Sequence, residues 1–487
     1  MRFWHIATLA VLSVLTATPA CAQPASHAEL GNRAVEAFNS GDYDEAERLW
    51  KRWAELDETT FVPWYNLACA RSMRGDGEGA AEHLITAIER GFSDFSRIES
   101  DPNLRAFRAT DTFEQLQTAW PAFLDRRIDT QLEAARRVYG PRYSYIKDEK
   151  HRLGFVSAYD TVTSRQAREE VRLVADWTIR NLFPELGSPS SDHPDPWVMV
   201  ILPTREHFAG WARQTYGDMP ASATSQLGGA YSHDDKKLVT VDLGSTLRHE
   251  FLHVLHFRSA DRLGQSHPIW IQEGLAAIVE DMGPTSRGPF DPVPSWRTNS
   301  IKRLAQQNKL PGISDFATMP RDRFSGNRPL ANYAFARAVF MYLHERGQLG
   351  EWYSTYTQTH DLDPTGRKAL IAVTGRTLNE FDDDIRRWAR DLPEVYEQNR
   401  PPLLGIGARL DLEHGDGPIV RKLIHDNATR AGLRPGDIIT GLDGTPVRDL
   451  NEFYRVLTGL EAGQRVRVDY RRRLEHRRTT VVLVEAR

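Results

Sequence analysis

Apolar positions along the chain change period several times, and the changes divide it into regions. From 28 to about 95 they recur with helical spacing, and the pattern repeats after 34 residues: Asn32 matches Asn66, Ala34 matches Ala68, Gly41-Asp42 matches Gly75-Asp76, and Ala46 matches Ala80. Each copy predicts a helix, a Gly-Asp turn and a returning helix, with small residues where the two pack. A further helical stretch at 101–125 (Leu104, Phe107, Phe113, Leu116) is placed to close the open apolar face. After Tyr143 alternation takes over. It predicts strands within 145–158 and at 196–202, with a helix over 165–182 between them. Another helix starts at Glu206. Gly229-Ala230-Tyr231 and Lys237 to Val241 predict two strands around an Asp234-Asp235 turn. The Pro- and Gly-rich stretch from Gly283 to Pro294 reads as loop, 299–391 as mostly helical, and Pro401-Pro402 as a boundary before short strands return.

The first 22 residues stand apart. Arg2, the apolar run Ile6 to Ala17 and the small residues Ala20-Cys21-Ala22 predict a signal peptide and hence an exported, periplasmic or secreted protein. A lipoprotein acylated on Cys21 is the competing reading, although Thr18-Pro19-Ala20 lacks the usual aliphatic residue. The run is too short to span a bilayer, so no transmembrane anchor is expected. Cleavage after Ala22 leaves only Cys69, on a predicted helix among apolar neighbours, and thus no intrachain disulfide. The formal charge of −4 over 487 residues gives no nucleic-acid signal. The seven arginines between Arg465 and Arg478 alternate with apolar residues and read as the solvated face of a hairpin.

The chemistry is concentrated in Thr246-Leu247-Arg248-His249-Glu250-Phe251-Leu252-His253-Val254-Leu255-His256. Residues four apart on a helix are separated by roughly 400°, so His249 and His253 leave one face a turn apart. Two such imidazoles can hold zinc, with Glu250 beside them to take a proton from water. Two solvated histidines on a surface helix would share the spacing, but this helix is strongly apolar, and burying unpartnered imidazoles is costly. A catalytic zinc needs a third protein ligand. Twenty residues beyond His253, Glu273 opens Glu-Gly-Leu-Ala-Ala inside the apolar segment Pro268 to Ala277, where glycine and alanine allow a close helix approach.

Together the two segments resemble the gluzincin metallopeptidases, in particular the bacterial peptidase-MA-like families with a Trp-x-x-Glu-Gly-x-Ala second motif (Trp270 to Ala276 here). The resemblance covers about 140–395. It implies an α+β zincin-like domain binding one zinc ion through His249, His253 and Glu273, with Glu250 as general base. It also implies that Gly229, Ala230 and Tyr231 form the sheet edge along which extended substrate lies. Tyr333, with Tyr231 second, is the implied donor to the carbonyl oxygen. One departure stands out: thermolysin-like enzymes carry an acidic residue one turn beyond the third ligand, and position 277 is alanine. An orienting carboxylate must then come from elsewhere, with Glu280 and Asp281 as candidates. His256, on the same face, fits a packed or supporting histidine better than a ligand, because a residue on that turn would have to bend back to the metal.

Residues 28–125 resemble tetratricopeptide repeats. Residues 402–487 resemble the PDZ domains attached to bacterial exported proteases, with Leu404-Gly405-Ile406-Gly407 as the carboxylate-binding loop and Ala431-Gly432-Leu433-Arg434-Pro435-Gly436-Asp437 as the most distinctive stretch. The expectation is a multidomain chain, with α-helical repeats, a zincin-like domain and a β-rich PDZ domain. It would be an exported zinc peptidase acting on protein or peptide substrates, with flanking domains that recruit them. Peptide C-termini or extended strands would bind at the PDZ groove. Two alternatives remain open: an inactive metal-bearing scaffold acting through its interaction domains, and an aminopeptidase.

Overall fold

Matching caps and matching alanines build the first helices. The computed structural model describes residues 27–487 apart from 59, 188–194, 217–228, 233–235, 327, 399–403 and 486–487; for 27, 28, 96, 231, 232, 261, 262 and 412–414 it describes the backbone alone. The expected signal peptide and Cys21 lie outside the described residues. Helices α1 (His27–Asn39), α2 (Tyr43–Leu56), α3 (Val62–Met73) and α4 (Gly77–Glu89) form two pairs. Asp42 and Asp76 cap α2 and α4 by accepting from the N–H groups of Glu45 and Gly79. Gly41 and Gly75 before them take φ of 82° and 83°, a region that disfavours side chains. Ala34, Ala46, Ala68 and Ala80 are fully buried where the helices close. Cys69 is buried on α3. These residues, together with 102–113, make the first of two compact units. The expected helical stretch at 101–125 is broken. It holds two single-turn 3-10 helices, Pro102–Leu104 and Phe107–Ala109, which bury Leu104 and Phe107, and then the start of a long helix.

The second unit comprises 93–101 and 114–487. It holds α5 (Phe95–Ser100) and most of α6 (Asp111–Tyr139). Strands β1 (Ser144–Asp148), β2 (Leu153–Ser157), β3 (Trp197–Ile201), β4 (Gly229–Ser232) and β5 (Lys237–Thr240) form one sheet in the order β1-β2-β3-β5-β4. The inner strands β2, β3 and β5 run parallel, and the outer β1 and β4 run antiparallel to their neighbours. β3 is buried throughout, as a parallel strand covered on both faces should be. Phe155, Met199 and Ile201 meet α7 (Thr161–Asn181) and α9 (Ser245–Arg262) on one side. Val156, Val198, Val200 and Val239 meet α6 and α8 (Arg205–Tyr216) on the other. The two residues at each step therefore serve two cores.

Beyond the sheet, α10 (Ile269–Ile278), α11 (Trp296–Gln306), α12 (Ile313–Phe316), α13 (Arg321–Gly326), α14 (Pro329–Glu345), α15 (Leu349–Thr359), α16 (Arg367–Thr374) and α17 (Leu378–Asp391) pack on the same core. Gly375, at φ 65°, ends α16. The stretch read as loop, 283–294, is instead largely a hairpin of β6 (Met282–Thr285) and β7 (Gly288–Pro292). The buried Asp291 fixes it, accepting from Thr285 Oγ1, from Trp177 Nε1 on α7 and from Arg287 Nε, and pairing with His344 Nε2 on α14.

In the C-terminal domain β9 (Ala408–His414), β10 (Gly417–Leu423), β11 (Ile438–Leu442), β13 (Arg465–Arg472) and β14 (Glu475–Val482) form a sheet in the order β14-β13-β11-β10-β9, with β12 (Thr445–Pro446) beside β11. β8 (Leu404–Gly405) pairs with β15 (Val484–Glu485), and α18 (Asp426–Arg430) and α19 (Leu450–Leu457) cover the core. Arg465 and Arg467 are exposed and Val466 and Val468 buried, as the alternation predicts.

Candidate metal centre

The apolar body of α9, namely Phe251, Leu252, Val254 and Leu255, is buried, and this turns His249 and His253 toward α10. Their rings lie 4.9 Å apart at 81°, with Nε2 atoms separated by 3.2 Å. Glu273 on α10 places Oε2 3.2 Å from His249 Nε2 and 3.7 Å from His253 Nε2. Ligand atoms of a tetrahedral zinc, at 2.0–2.1 Å from the ion, would stand about 3.3 Å from one another. The three donor atoms fit that spacing, and among the described residues they are the one such group of three.

Close helix packing brings Glu273 in. A Cβ on Gly274 would fall 2.6 Å from the Phe340 ring and 3.0 Å from Ala336 carbonyl carbon, so the glycine admits α14 rather than α9. Glu273 is itself buried. The same crossing carries Tyr333 over the site. Its ring lies 6.3 Å from that of His249. Burial, reinforced by the Glu273 and Glu250 carboxylates, pushes that phenol above its ordinary range.

The electrostatics favour a cation. Burial works against charge on both partners, yet His253 and His249 hold Glu273 well below the usual carboxylate range. Against the same cost of burial, Glu273 and Glu280 raise His249 to about 10. The carboxylate that meets His249 is Glu280, whose Oε1 lies 2.8 Å from His249 Nδ1. Arg297 grips Glu280 from behind, Nε to Oε2 at 2.5 Å and Nη2 to Oε1 at 2.8 Å. With Arg297 and His249 outweighing burial, Glu280 is held at about 2. Asp281 points elsewhere, 4.0 Å from Arg337. His256 is no part of the donor triangle: it is buried, 2.7 Å from His267 Nδ1, and burial holds its pKa at about 3. The Arg297 clamp carried no signal in the sequence beyond an arginine beside a tryptophan.

Glu250 projects toward β4, the edge strand of the sheet. A Cβ at Gly229 would lie 2.8 Å from Glu250 Cγ, so glycine there leaves room for the carboxylate. Burial raises the Glu250 pKa, while His249 and His253 pull it back. Ala230 and Tyr231 follow on β4, paired with Val239 and Leu238; the Tyr231 side chain lies outside what is described. In the C-terminal domain Ile406 is buried under the 404–407 loop, and Gly407 takes φ 76° and accepts from the N–H groups of Ile424 and His425.

Residues 402–483 match the PDZ domain family model. The C-terminal domain is a PDZ domain. No curated protein sequence matches the chain. Solved structures similar to it include the HtrA-type protease AlgW with a decapeptide, at 20% identity and TM-score 0.16, over 17% of this chain and 30% of that one. They also include an aminopeptidase N family protein from Idiomarina loihiensis, at 12% identity and TM-score 0.29, over 70% of this chain and 67% of that one. The chain thus spans less than a third of the AlgW chain.

Proposed function

We propose that the chain is a zinc-dependent peptidase of the gluzincin kind, with His249, His253 and Glu273 as ligands. The observation that carries the proposal is the donor triangle with Glu250 next to it, beneath an edge strand. When bound there, zinc supplies Lewis acidity, polarising a peptide carbonyl and making water easier to deprotonate. Among the described residues β4 ends the sheet, and its outer edge offers Gly229 to Tyr231 as a strand against which extended substrate lines up. Glu250, its carboxyl raised by burial, takes the proton of the attacking water and hands it to the leaving amine. The Tyr333 phenol donates to the carbonyl oxygen as its charge develops. Glu280 and Arg297 keep the His249 ring turned toward the donor triangle.

With Glu280 in place, the lack of an acidic residue at 277 no longer favours an inert scaffold. The helical repeats and the PDZ groove serve to recruit protein substrates or partners, the groove taking peptide C-termini or extended strands. Among the described residues no helix is long and apolar enough to cross a membrane; export rests on residues 1–22. The test is cleavage of a mixed peptide library by the full mature chain and by its Glu250→Ala form, read by mass spectrometry. Cleavage by the first alone is expected, and the fragment ends separate endopeptidase from aminopeptidase action. Silence from a zinc-loaded wild type would overturn the proposal.

A further inference from the structure

The residue before the first histidine ties the metal helix to the PDZ domain. Arg248 is buried. Its Nη2 donates to Glu452 of α19 and, at 2.5 Å, to the backbone carbonyl of Glu280; its Nε reaches the carbonyls of Val279 and Glu280 at 3.2 and 3.1 Å; its Nη1 lies 3.4 Å from Glu170 on α7. Glu170 in turn takes Arg448, just before α19, at 2.6 Å, and the Arg448 N–H donates to Glu452 Oε2 at 2.7 Å. Two cations and two anions thus close a buried, neutral network between the domains. Burying four charges is tolerable only where each is met in good geometry, so the docking has one register.

The turn joining β9 to β10 makes a second contact at the same end of α9. Gly415 accepts from the Leu243 N–H at 2.9 Å, and its own N–H donates to Tyr159 Oη at 3.0 Å. A Cβ on Gly244 would fall 2.6 Å from Arg448 Cβ, so the packing there is close. β9 is the edge strand following the 404–407 loop, and α19 packs against it. A peptide added to that edge lies beside the element that carries Glu452.

Resting on the reading of His249, His253 and Glu273 as metal ligands, we propose that the PDZ domain is part of the support of the metal site. Glu452 is a positioning residue. It holds Arg248, Arg248 holds the Glu280 backbone, and Glu280 orients His249. Metal occupancy and the peptide-recognition helix α19 are therefore coupled, and the coupling is reciprocal. A peptide taken at the β9 edge acts on hydrolysis through the same contacts.

The test needs neither substrate nor PDZ ligand, only zinc. Hydrogen–deuterium exchange of the full chain with and without zinc should show slower exchange at 450–457 and at 241–244 as well as around 249–280. In Glu452→Gln the 450–457 response should vanish, and zinc affinity by chelator competition should fall roughly fivefold or more. Val481→Ala, which opens a void in the PDZ core away from Arg248, should lower stability and leave zinc affinity unchanged. Zinc-induced protection confined to 249–280 in the wild type overturns the proposal, and so does wild-type affinity in Glu452→Gln. Failure of the wild type to take up zinc sinks the metal reading instead.

Discussion

Glu280→Gln isolates the support behind His249. In the wild type one carboxylate serves two donors, His249 Nδ1 at 2.8 Å and the Arg297 fork at 2.5 and 2.8 Å. Only a charge with both oxygens free to accept can satisfy that pattern. Glutamine keeps the shape but sets an NH2 in place of one oxygen: on the Oε2 side it faces Arg297 Nε donor to donor, and flipped it leaves His249 Nδ1 and Arg297 Nη2 without an acceptor. A hydrogen bond to a charged group contributes roughly 1.5–3 kcal/mol. Loss of a carboxylate behind a metal-bound histidine typically weakens the metal about 10- to 100-fold, or about 1.4–2.8 kcal/mol at about 1.4 kcal/mol per decade. The two ranges overlap. Burial at 6% relative exposure leaves little solvent to screen the effect. The expected result is a zinc dissociation constant raised by about that factor, measured by competition with a chromophoric chelator. Asp281→Asn, at the adjacent buried carboxylate that does not touch His249, should bind zinc like the wild type. Wild-type affinity in Glu280→Gln would refute the assignment, and so would equal weakening in Asp281→Asn.

Tyr333→Phe should lower kcat roughly 10²- to 10³-fold, as removal of an oxyanion donor does, with KM little changed; a kcat within twofold of wild type would leave the tyrosine a packing residue. Gly229→Ala inserts a methyl 2.8 Å from Glu250 Cγ and 3.0 Å from Thr246 Cγ2. It should cut peptide hydrolysis about tenfold or more by displacing the base, while zinc affinity by chelator competition stays put; unaltered turnover would show that the strand gives way instead. Asp449, the N-cap of α19, has its pKa raised from 3.8 to about 7 by burial and by Glu452. The folded protein then holds a proton that the unfolded chain has released, so this group lowers stability increasingly between about pH 4 and pH 7. Asp449→Asn keeps a capping side chain, so its melting temperature should rise above wild type across that window and stay above it at higher pH; parallel melting curves from pH 4 to 8 would count against a neutral Asp449.

What the sequence makes legible is what the backbone repeats locally. His249 and His253 stand one turn apart whatever surrounds them, and α9 needs only its own apolar residues to aim them. Glu273 is legible because the Gly274 that lets α14 approach is written beside it. The hairpin at 282–292 was not, because Pro284, Pro289 and Pro292 carry the local signature of a loop. What makes it a hairpin is Asp291, bound to Trp177, 114 residues away, and to His344, 53 residues away.

The support of the metal site fails to show in the sequence for the same reason. Arg297 lies 17 residues from Glu280, and Arg248 lies 204 from Glu452. Nothing in the spacing of either pair marks it. An arginine before His249 looks like any solvated residue at the start of a helix, until burial asks where its five donors go. The PDZ domain could be recognised by its glycines and alternating strands and still be taken for an appendage, because its contribution to the site is made by two residues, Arg448 and Glu452, that belong to no PDZ signature. Local pattern identifies the groups that can do chemistry. The groups that hold them in place are chosen by the tertiary fold, and here that choice reaches from His249 into the PDZ domain.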